Sequence, residues 1–233
     1  MRTVILHYHL FKNAGTSLDQ ILKQNFGDRW VTREFGGNHD NSAAVADWIR
    51  ATPEAVAFST HTAVGPLPEI AGVRVVTVML LRDPLERIRS AYRFERTQEA
   101  DTWGANLAKE FAFSGYVRAR LTHPADRQCR NFQAWRLATL APGDGPLVER
   151  AKAGAGKIDV LGRVADFDGA LTALAAALGD AAPDFTWESL RANRSSREGA
   201  VEPHMAEPPA LTERLRVANA DDLALLAWLE EGS

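Results

Sequence analysis

One cysteine, Cys129, stands alone in 233 residues. No internal disulfide is possible, so a packed core must hold the fold, as suits a reducing compartment. Long apolar runs are missing too. No stretch of about 18 apolar residues occurs, which argues against a membrane span. The run from Thr3 to Leu10 is broken by His7 and His9 and passes straight into a polar motif, so it reads as a core strand and not as a signal peptide. Charge of one sign is not in excess. With 27 basic and 30 acidic residues and a net charge of -3, the chain does not read as a general nucleic-acid binder. Metal-ligand spacing is absent as well: the six histidines are scattered and no H-E-x-x-H occurs, so no metal site is expected. A cytoplasmic location is expected, and the alanine-rich helices suggest a bacterial source. The hydrophobic fraction of 45% supplies an ordinary core for one domain over 1–233, with room for a helical subdomain.

Two motifs stand out against this background. The first is His9-Leu10-Phe11-Lys12-Asn13-Ala14-Gly15-Thr16-Ser17. An apolar, strand-like stretch from Val4 to Leu10 runs into a lysine, a glycine and two hydroxyl residues, and a helical pattern opens at Leu18. Strand, tight loop and helix N-terminus together make a phosphate cradle, because free backbone N–H groups and the helix dipole favour an anion there. A Walker loop places its lysine after the second glycine. Here Lys12 comes before Gly15, and the loop is too short to wrap a triphosphate.

The second motif follows Val73–Leu81, whose β-branched and aliphatic residues mark a buried parallel strand. Leu81-Arg82-Asp83-Pro84-Leu85-Glu86-Arg87 comes next, with Asp83 suited to an N-cap and Pro84 to the first helical position. Arg82 sits where the strand leaves the sheet, and Ser90 lies about two turns into the helix. Five arginines face three acids between Arg82 and Arg96. They spread around the helix, so Arg87, Arg89, Arg93 and Arg96 are expected to be mostly solvated.

On these residues the chain resembles the sulfotransferases that use 3'-phosphoadenosine 5'-phosphosulfate (PAPS). It is most similar to the heparan sulfate 2-O-sulfotransferase-like branch (sulfotransferase family 2) and its bacterial relatives. The first motif resembles that family's H-I-P-K-x-[AG]-G-T-S loop, which holds the 5'-phosphosulfate. The second, through Ser90-Ala91-Tyr92, resembles its L-R-[DN]-P-x-x-R-x-x-S-x-[YF] element. Ser59-Thr60-His61 resembles a G-H segment after the second strand, Asn131-Phe132-Gln133 an N-x-Q segment, and the run from Val160 to Phe167 a V-G-x-x-E-x-[FL] turn. Phe11 replaces the usual proline and Thr60 the usual glycine.

The resemblance implies sulfuryl transfer from PAPS to a hydroxyl or amine, with a carbohydrate the favoured acceptor and no metal required. Such a reaction needs a base for the acceptor proton and a cation for the leaving phosphate. Lys12 is the expected cation and His61 the expected base. Asn13, Ala14, Gly15, Thr16 and Ser17 are expected at the 5'-phosphate, Arg82 and Ser90 at the 3'-phosphate, and Arg194 and Arg197 closing over the nucleotide. His9, with His7 at the same parity, reads as a satisfied core histidine, and His123 and His204 as surface residues. Trp103, Trp135 and Tyr116 can stack on a sugar or pack in the core, and Gln133 can touch acceptor or helix backbone. Two other readings stay open: a P-loop-like nucleotide kinase or phosphotransferase, and a non-catalytic nucleotide-binding relative.

Alternating strands and helices predict an α/β, P-loop-like three-layer fold with a central parallel sheet flanked by helices. Strands are expected at 4–9, 55–60, 73–81 and 158–164. Helices are expected at 16–26, 42–51 (with Ser42 as N-cap), 84–97, 106–121, 127–140 and 168–178, with an amphipathic segment at 212–231. Residues 28–40 read as a polar loop.

Overall fold

The computed structural model describes residues 1–37, 39–189 and 203–231. They fall into two compact units, one holding Met1–Arg82 and the described part of Arg136–Arg194, the other holding Asp83–Trp135 and the described residues after 195.

The first unit is the α/β layer structure. Its strands are β1 Arg2–Tyr8, β2 Trp30–Thr32, β3 Ala57–Thr60, β4 Val73–Leu81 and β5 Val160–Arg163. They pair in the order β2-β3-β1-β4-β5, and every pairing is parallel. Parallel strands need crossovers. Helices α1 Gly15–Phe26, α2 Ser42–Ala51, α7 Leu147–Ala155 and α8 Phe167–Leu178 belong to this unit. Val76, Val78 and Leu80 of β4 alternate onto one face with Ile5 of β1, where Leu18 and Leu22 of α1 and Leu171 and Leu174 of α8 cover them. Phe58 of β3 points to the opposite face, and its ring meets Trp48 of α2 edge-on at 4.9 Å. The sheet is thus flanked by helices, as the alternation of elements predicts. Two devices fix the edge. Asp159 accepts the backbone N–H and hydroxyl of Thr77 at 2.8 and 2.6 Å. A Cβ on Gly162 would stand 2.4 Å from the Ala170 Cβ, so only glycine lets β5 and α8 approach this closely.

The second unit is helical: α3 Pro84–Thr97, α4 Trp103–Glu110, α5 Phe113–Thr122, α9 Pro209–Ala218 and α10 Ala220–Glu231, together with the start of α6 Phe132–Ala138, whose residues from Arg136 onward belong to the first unit. Its core joins Leu85, Ile88 and Tyr92 of α3 to Phe113, Tyr116, Leu211 and Leu215. Helix α3 starts as the sequence indicates, with the Asp83 carboxylate accepting the Glu86 N–H at 2.8 Å and Pro84 in the first turn.

Several boundaries differ from the sequence expectation. The helix expected at 106–121 is two helices, because Phe111 turns extended and its carbonyl accepts the Tyr92 hydroxyl. The segment 212–231 also breaks, at Asn219, whose buried side chain bonds the Cys129 carbonyl and the Asn131 N–H. The helix expected at 127–140 starts only at Phe132, where the Asp222 carboxylate accepts the Ala134 N–H at 2.7 Å. Residues 30–32 form a strand inside the expected loop, and α7 has no counterpart in the expectation. Asn41, not Ser42, occupies the N-cap of α2, while Asp40 accepts the Ser42 N–H and hydroxyl. Arg87 is fully buried, not solvated: it donates to the side chain and carbonyl of Gln128 and lies 4.6 Å from the Phe132 ring centroid. Arg89 pairs with Glu207 and Glu86, and Arg96 donates to the Ala108 carbonyl, which leaves only Arg93 of the four exposed. His204, expected at the surface, is half-buried with its ring 5.9 Å from Tyr92, whereas His123 is exposed.

Candidate active site

Three segments leave the carboxyl ends of the three central strands of the first unit: His61 after β3, residues 9–14 after β1, and Arg82 after β4. The chain leaves β1 towards β2 and β3 on one side, then passes from β3 to β4 on the other. Open α/β sheets bind ligands at such a divergence, outside the carboxyl ends of the strands.

The loop after β1 is held in an unusual shape. Lys12 and Ala14 have φ of 65° and 58°, two of the three left-handed non-glycine residues described. Each costs roughly 1–2 kcal/mol, and such strain persists where surrounding contacts impose it. The buried Asn13 between them is the peg. Its side-chain amide donates to the Leu80 carbonyl of β4 at 2.8 Å. Arg82 donates to the Lys12 carbonyl at 3.3 Å, so the ends of β1 and β4 are tied together. The Ser17 N–H closes on the Ala14 carbonyl at 3.0 Å, and the N–H groups of Gly15 and Thr16 precede the helical ladder. Burial, then the neighbouring Arg82 charge, lower the pKa of Lys12.

Beside this loop lies a cluster of histidines. His7 and His9 alternate onto the α1 side of the sheet edge, and both Nδ1 atoms reach Asp19 of α1, at 2.8 and 2.7 Å. Burial pushes the Asp19 pKa up, but the hydrogen bonds from His7 and His9 outweigh it and hold the carboxyl well below the usual range. An ionised carboxylate only accepts, so each ring carries its proton on Nδ1 and turns Nε2 away. His7 also meets the Ser59 hydroxyl at 3.3 Å, and its pKa is lowered by burial, so it is a neutral core histidine. His9 is buried as its parity implies, and its ring packs on Gly15.

His61 is exposed at the end of β3. Its Nδ1 lies 2.6 Å from Glu34, and its backbone N–H donates to the same carboxylate. Glu34 also accepts the Thr62 hydroxyl at 2.8 Å. Burial opposes ionisation of Glu34, but the bonds from His61 and Thr62 prevail and lower its pKa. Thr60, in the place of the expected glycine, accepts the Thr62 N–H and so helps shape the turn that presents His61. The ring centroids of His9 and His61 are 3.9 Å apart. Two imidazoles, each oriented by its own carboxylate, therefore lie side by side. The buried Arg136 donates to the Ala63 carbonyl beyond this turn, and burial lowers its pKa to about 10, which leaves it charged at neutral pH.

Among the described residues, His7, His9 and Asp19 bring three potential metal-ligand atoms within 4.8 Å of one another. The Nδ1 atom of each histidine already reaches the carboxylate, so the cluster is complete as a hydrogen-bonded unit.

An uncharacterized protein of Archaeoglobus fulgidus is 35% identical over 202 residues, covering 82% of this chain and 79% of the relative. The chain belongs to that protein's family. No family model matches the sequence. Composition suggested a bacterial source, whereas this relative is archaeal. No helix among the described residues is long and apolar enough to cross a membrane.

Of the residues singled out from sequence, Lys12 to Ser17, His61 and Arg82 gather at one edge of the first unit. Ser90 is half-buried in α3 of the second unit. Arg194 and Arg197 lie outside the described residues. Gln133 is buried beside Asp222, and Tyr116 is a core residue, whereas Trp103 is 50% exposed. The sequence reading missed Asp19, Glu34 and Arg136. Asp19 left a trace, since two histidines alternating on a buried strand require a nearby acceptor. Glu34 and Arg136 left none, because a loop carboxylate and a helix arginine are the commonest kinds of solvated charge.

Proposed function

We propose that the chain is a PAPS-dependent sulfotransferase that moves the sulfuryl group to an acceptor hydroxyl or amine, with a carbohydrate as the favoured acceptor class. One observation carries this reading: a strained anion loop with its lysine and a carboxylate-held histidine emerge from adjacent strands at one sheet edge. The N–H groups of Gly15 and Thr16 and the Lys12 ammonium suit the 5'-phosphosulfate, and Arg82 suits the 3'-phosphate. Ser90 keeps the support of the sequence resemblance alone.

In the proposed reaction the acceptor oxygen attacks sulfur. A new O–S bond forms, the S–O bond to the phosphate breaks, and the acceptor proton passes to Nε2 of His61. Glu34 keeps the His61 proton on Nδ1 and so leaves the Nε2 lone pair available, the same division of labour as in other carboxylate–histidine pairs. Lys12 meets the charge that develops on the leaving phosphate, where a preorganised cation has most effect. Adenosine 3',5'-bisphosphate departs.

Nucleotide-dependent thermal stabilisation tests the reading. A ligand bound only by the folded state contributes about 2.7 kcal/mol at one hundred times Kd. Strong stabilisation by adenosine 3',5'-bisphosphate without magnesium is expected, and an acceptor screen with radiolabelled PAPS then identifies the product. A preference for magnesium-ATP overturns the reading in favour of a kinase. Nucleotide binding with no transfer to any acceptor overturns the enzymatic part of it.

A further inference from the structure

We propose that Asn41 is the positioning residue for His61: its side chain is withheld from the helix it begins and fixes the backbone turn that presents the imidazole. The inference rests on the reading of His61 as the proton acceptor, and it adds to that reading the residue that holds the base in place.

His61 is exposed at the end of β3. An exposed ring is confined by the contacts of its own atoms and by the backbone that carries it. Glu34 supplies the first, through Nδ1. Asn41 supplies the second. Its backbone N–H donates to the Val64 carbonyl at 2.9 Å, its Oδ1 accepts the Val64 N–H at 2.8 Å, and its Nδ2 donates to the Thr62 carbonyl at 2.8 Å. Arg136 takes the carbonyl between them, that of Ala63, at 2.8 Å. Three consecutive carbonyls after His61 are therefore each bonded from outside the turn. Asn41 is 8% exposed, so water competes little for these bonds, and hydrogen bonds strengthen where water is excluded.

A second observation is what Asn41 does not do. It occupies the N-cap of α2, and its carbonyl accepts the Val45 N–H at 3.0 Å, as an N-cap carbonyl does. Asparagine in this position is favoured because its side-chain oxygen turns back onto the first helix N–H groups. Here the side chain makes no such bond. Asp40 accepts the Ser42 N–H and hydroxyl instead, at 2.9 and 2.7 Å. Gly65, with φ of 107°, makes room for Asp40: a Cβ there would stand 2.1 Å from the Asp40 Oδ1. A residue suited to stabilising its own helix thus directs its amide to the turn, and its neighbours are arranged to allow it. This places order in the turn ahead of order in the helix. A general base needs that order, because it must stand within hydrogen-bond reach of the proton it takes.

Asn41→Ser tests the proposal, since serine caps a helix as well as asparagine does but is too short to span the Thr62 carbonyl and the Val64 N–H. At one fixed pH, 15N relaxation reports the order of amides 61–64, relaxation of the Cδ2–H bond reports the His61 ring, and the urea midpoint reports the fold. Order parameters of about 0.85 are expected through the turn in the wild type and below about 0.6 in the variant, with the ring loosened and the urea midpoint unchanged. Single-turnover transfer at saturating PAPS should fall by up to about 10²-fold, while affinity for adenosine 3',5'-bisphosphate is retained. Asn41→Asp keeps the acceptor for the Val64 N–H and loses the donor to the Thr62 carbonyl. It should show a smaller loss of the same kind, and it carries the test should Asn41→Ser fail to fold. A turn as ordered in the variants as in the wild type, or a lower urea midpoint with ring order and rate unchanged, assigns Asn41 to the fold alone and overturns the proposal. A turn that loosens in a protein that binds no adenosine 3',5'-bisphosphate keeps Asn41 as the residue that holds His61 and overturns the nucleotide reading instead.

Discussion

The Asp19 cluster of the first unit and the Glu95–Arg120–Asp126 cluster of the second are both knots of buried carboxylates and nitrogen donors, yet they are finished differently. Arg120 donates to both oxygens of Glu95, at 2.7 and 2.8 Å, and to Asp126, while the Tyr116 hydroxyl also donates to Glu95. The guanidinium carbon lies 4.8 and 5.0 Å from the ring centroids of Tyr116 and Trp103. Its charge is spent entirely inside the unit. In the Asp19 cluster the carboxylate engages one nitrogen of each histidine and leaves the other directed elsewhere. Guanidinium stays charged at any ordinary pH, whereas an imidazole changes its charge and its donor pattern near neutrality. The first kind of knot holds helices together. The second, opening on a sheet edge beside a strained loop, is suited to chemistry.

The largest effect should come from the closed knot. Arg120→Ala strands Glu95 and Asp126 in the interior, and removing one partner of a buried pair costs about 3–5 kcal/mol. Chemical denaturation followed by tryptophan fluorescence should show the loss. A change below 1 kcal/mol would mean that water reaches both carboxylates and that the contrast is wrong.

The open site should give up rate while keeping its fold. His61→Ala is expected to retain affinity for adenosine 3',5'-bisphosphate and lose about 10²–10⁴-fold in kcat. Glu34→Gln should act in the same direction with a smaller loss, because the amide can still accept from Nδ1. Single-turnover transfer measures both. An unchanged chemical rate in His61→Ala would move the base role to another residue.

Arg82→Ala should weaken adenosine 3',5'-bisphosphate by about 1.5–3 kcal/mol, as for a hydrogen bond to a charged group, and adenosine 5'-phosphate far less. Equal weakening of both by calorimetry removes Arg82 from the 3'-phosphate and leaves it as the brace for the Lys12 carbonyl.

The smallest effect is a pH dependence. Burial lowers the pKa of His7 from its ordinary value of 6.5. Below about 6.5 the unfolded chain therefore binds a proton that the folded chain refuses, and stability falls as pH falls, by at most about 1.4 kcal/mol per pH unit for one proton. His7→Gln should flatten the fall in urea midpoint between pH 7 and 5. An equal slope in wild type and variant would assign the acid sensitivity to another group.

Much of the fold was legible because local and tertiary demands agree. The strand Val73–Leu81 and the helix Pro84–Thr97 occur with the bounds read from the sequence. An unbroken aliphatic run suits a strand buried on both faces, and an Asp-Pro start suits a capped helix. Arg87 misled for the opposite reason. On a charged helix it reads as solvated, and only Gln128 and Phe132, brought from about forty residues away, make it a core residue.

The sequence by itself determined the parallel α/β organisation, the place of the tight loop between β1 and α1, and the strand ends that carry His61 and Arg82. Periodicity, caps and glycine placement are local properties that survive translation into structure. Tertiary structure alone decided which groups complete those residues. Asp19 meets His9 across 10 residues, Glu34 meets His61 across 27, and Asn13 meets Leu80 across 67. A hydrogen bond depends on distance in space, and the sequence spacing of such partners carries no periodicity from which it can be read.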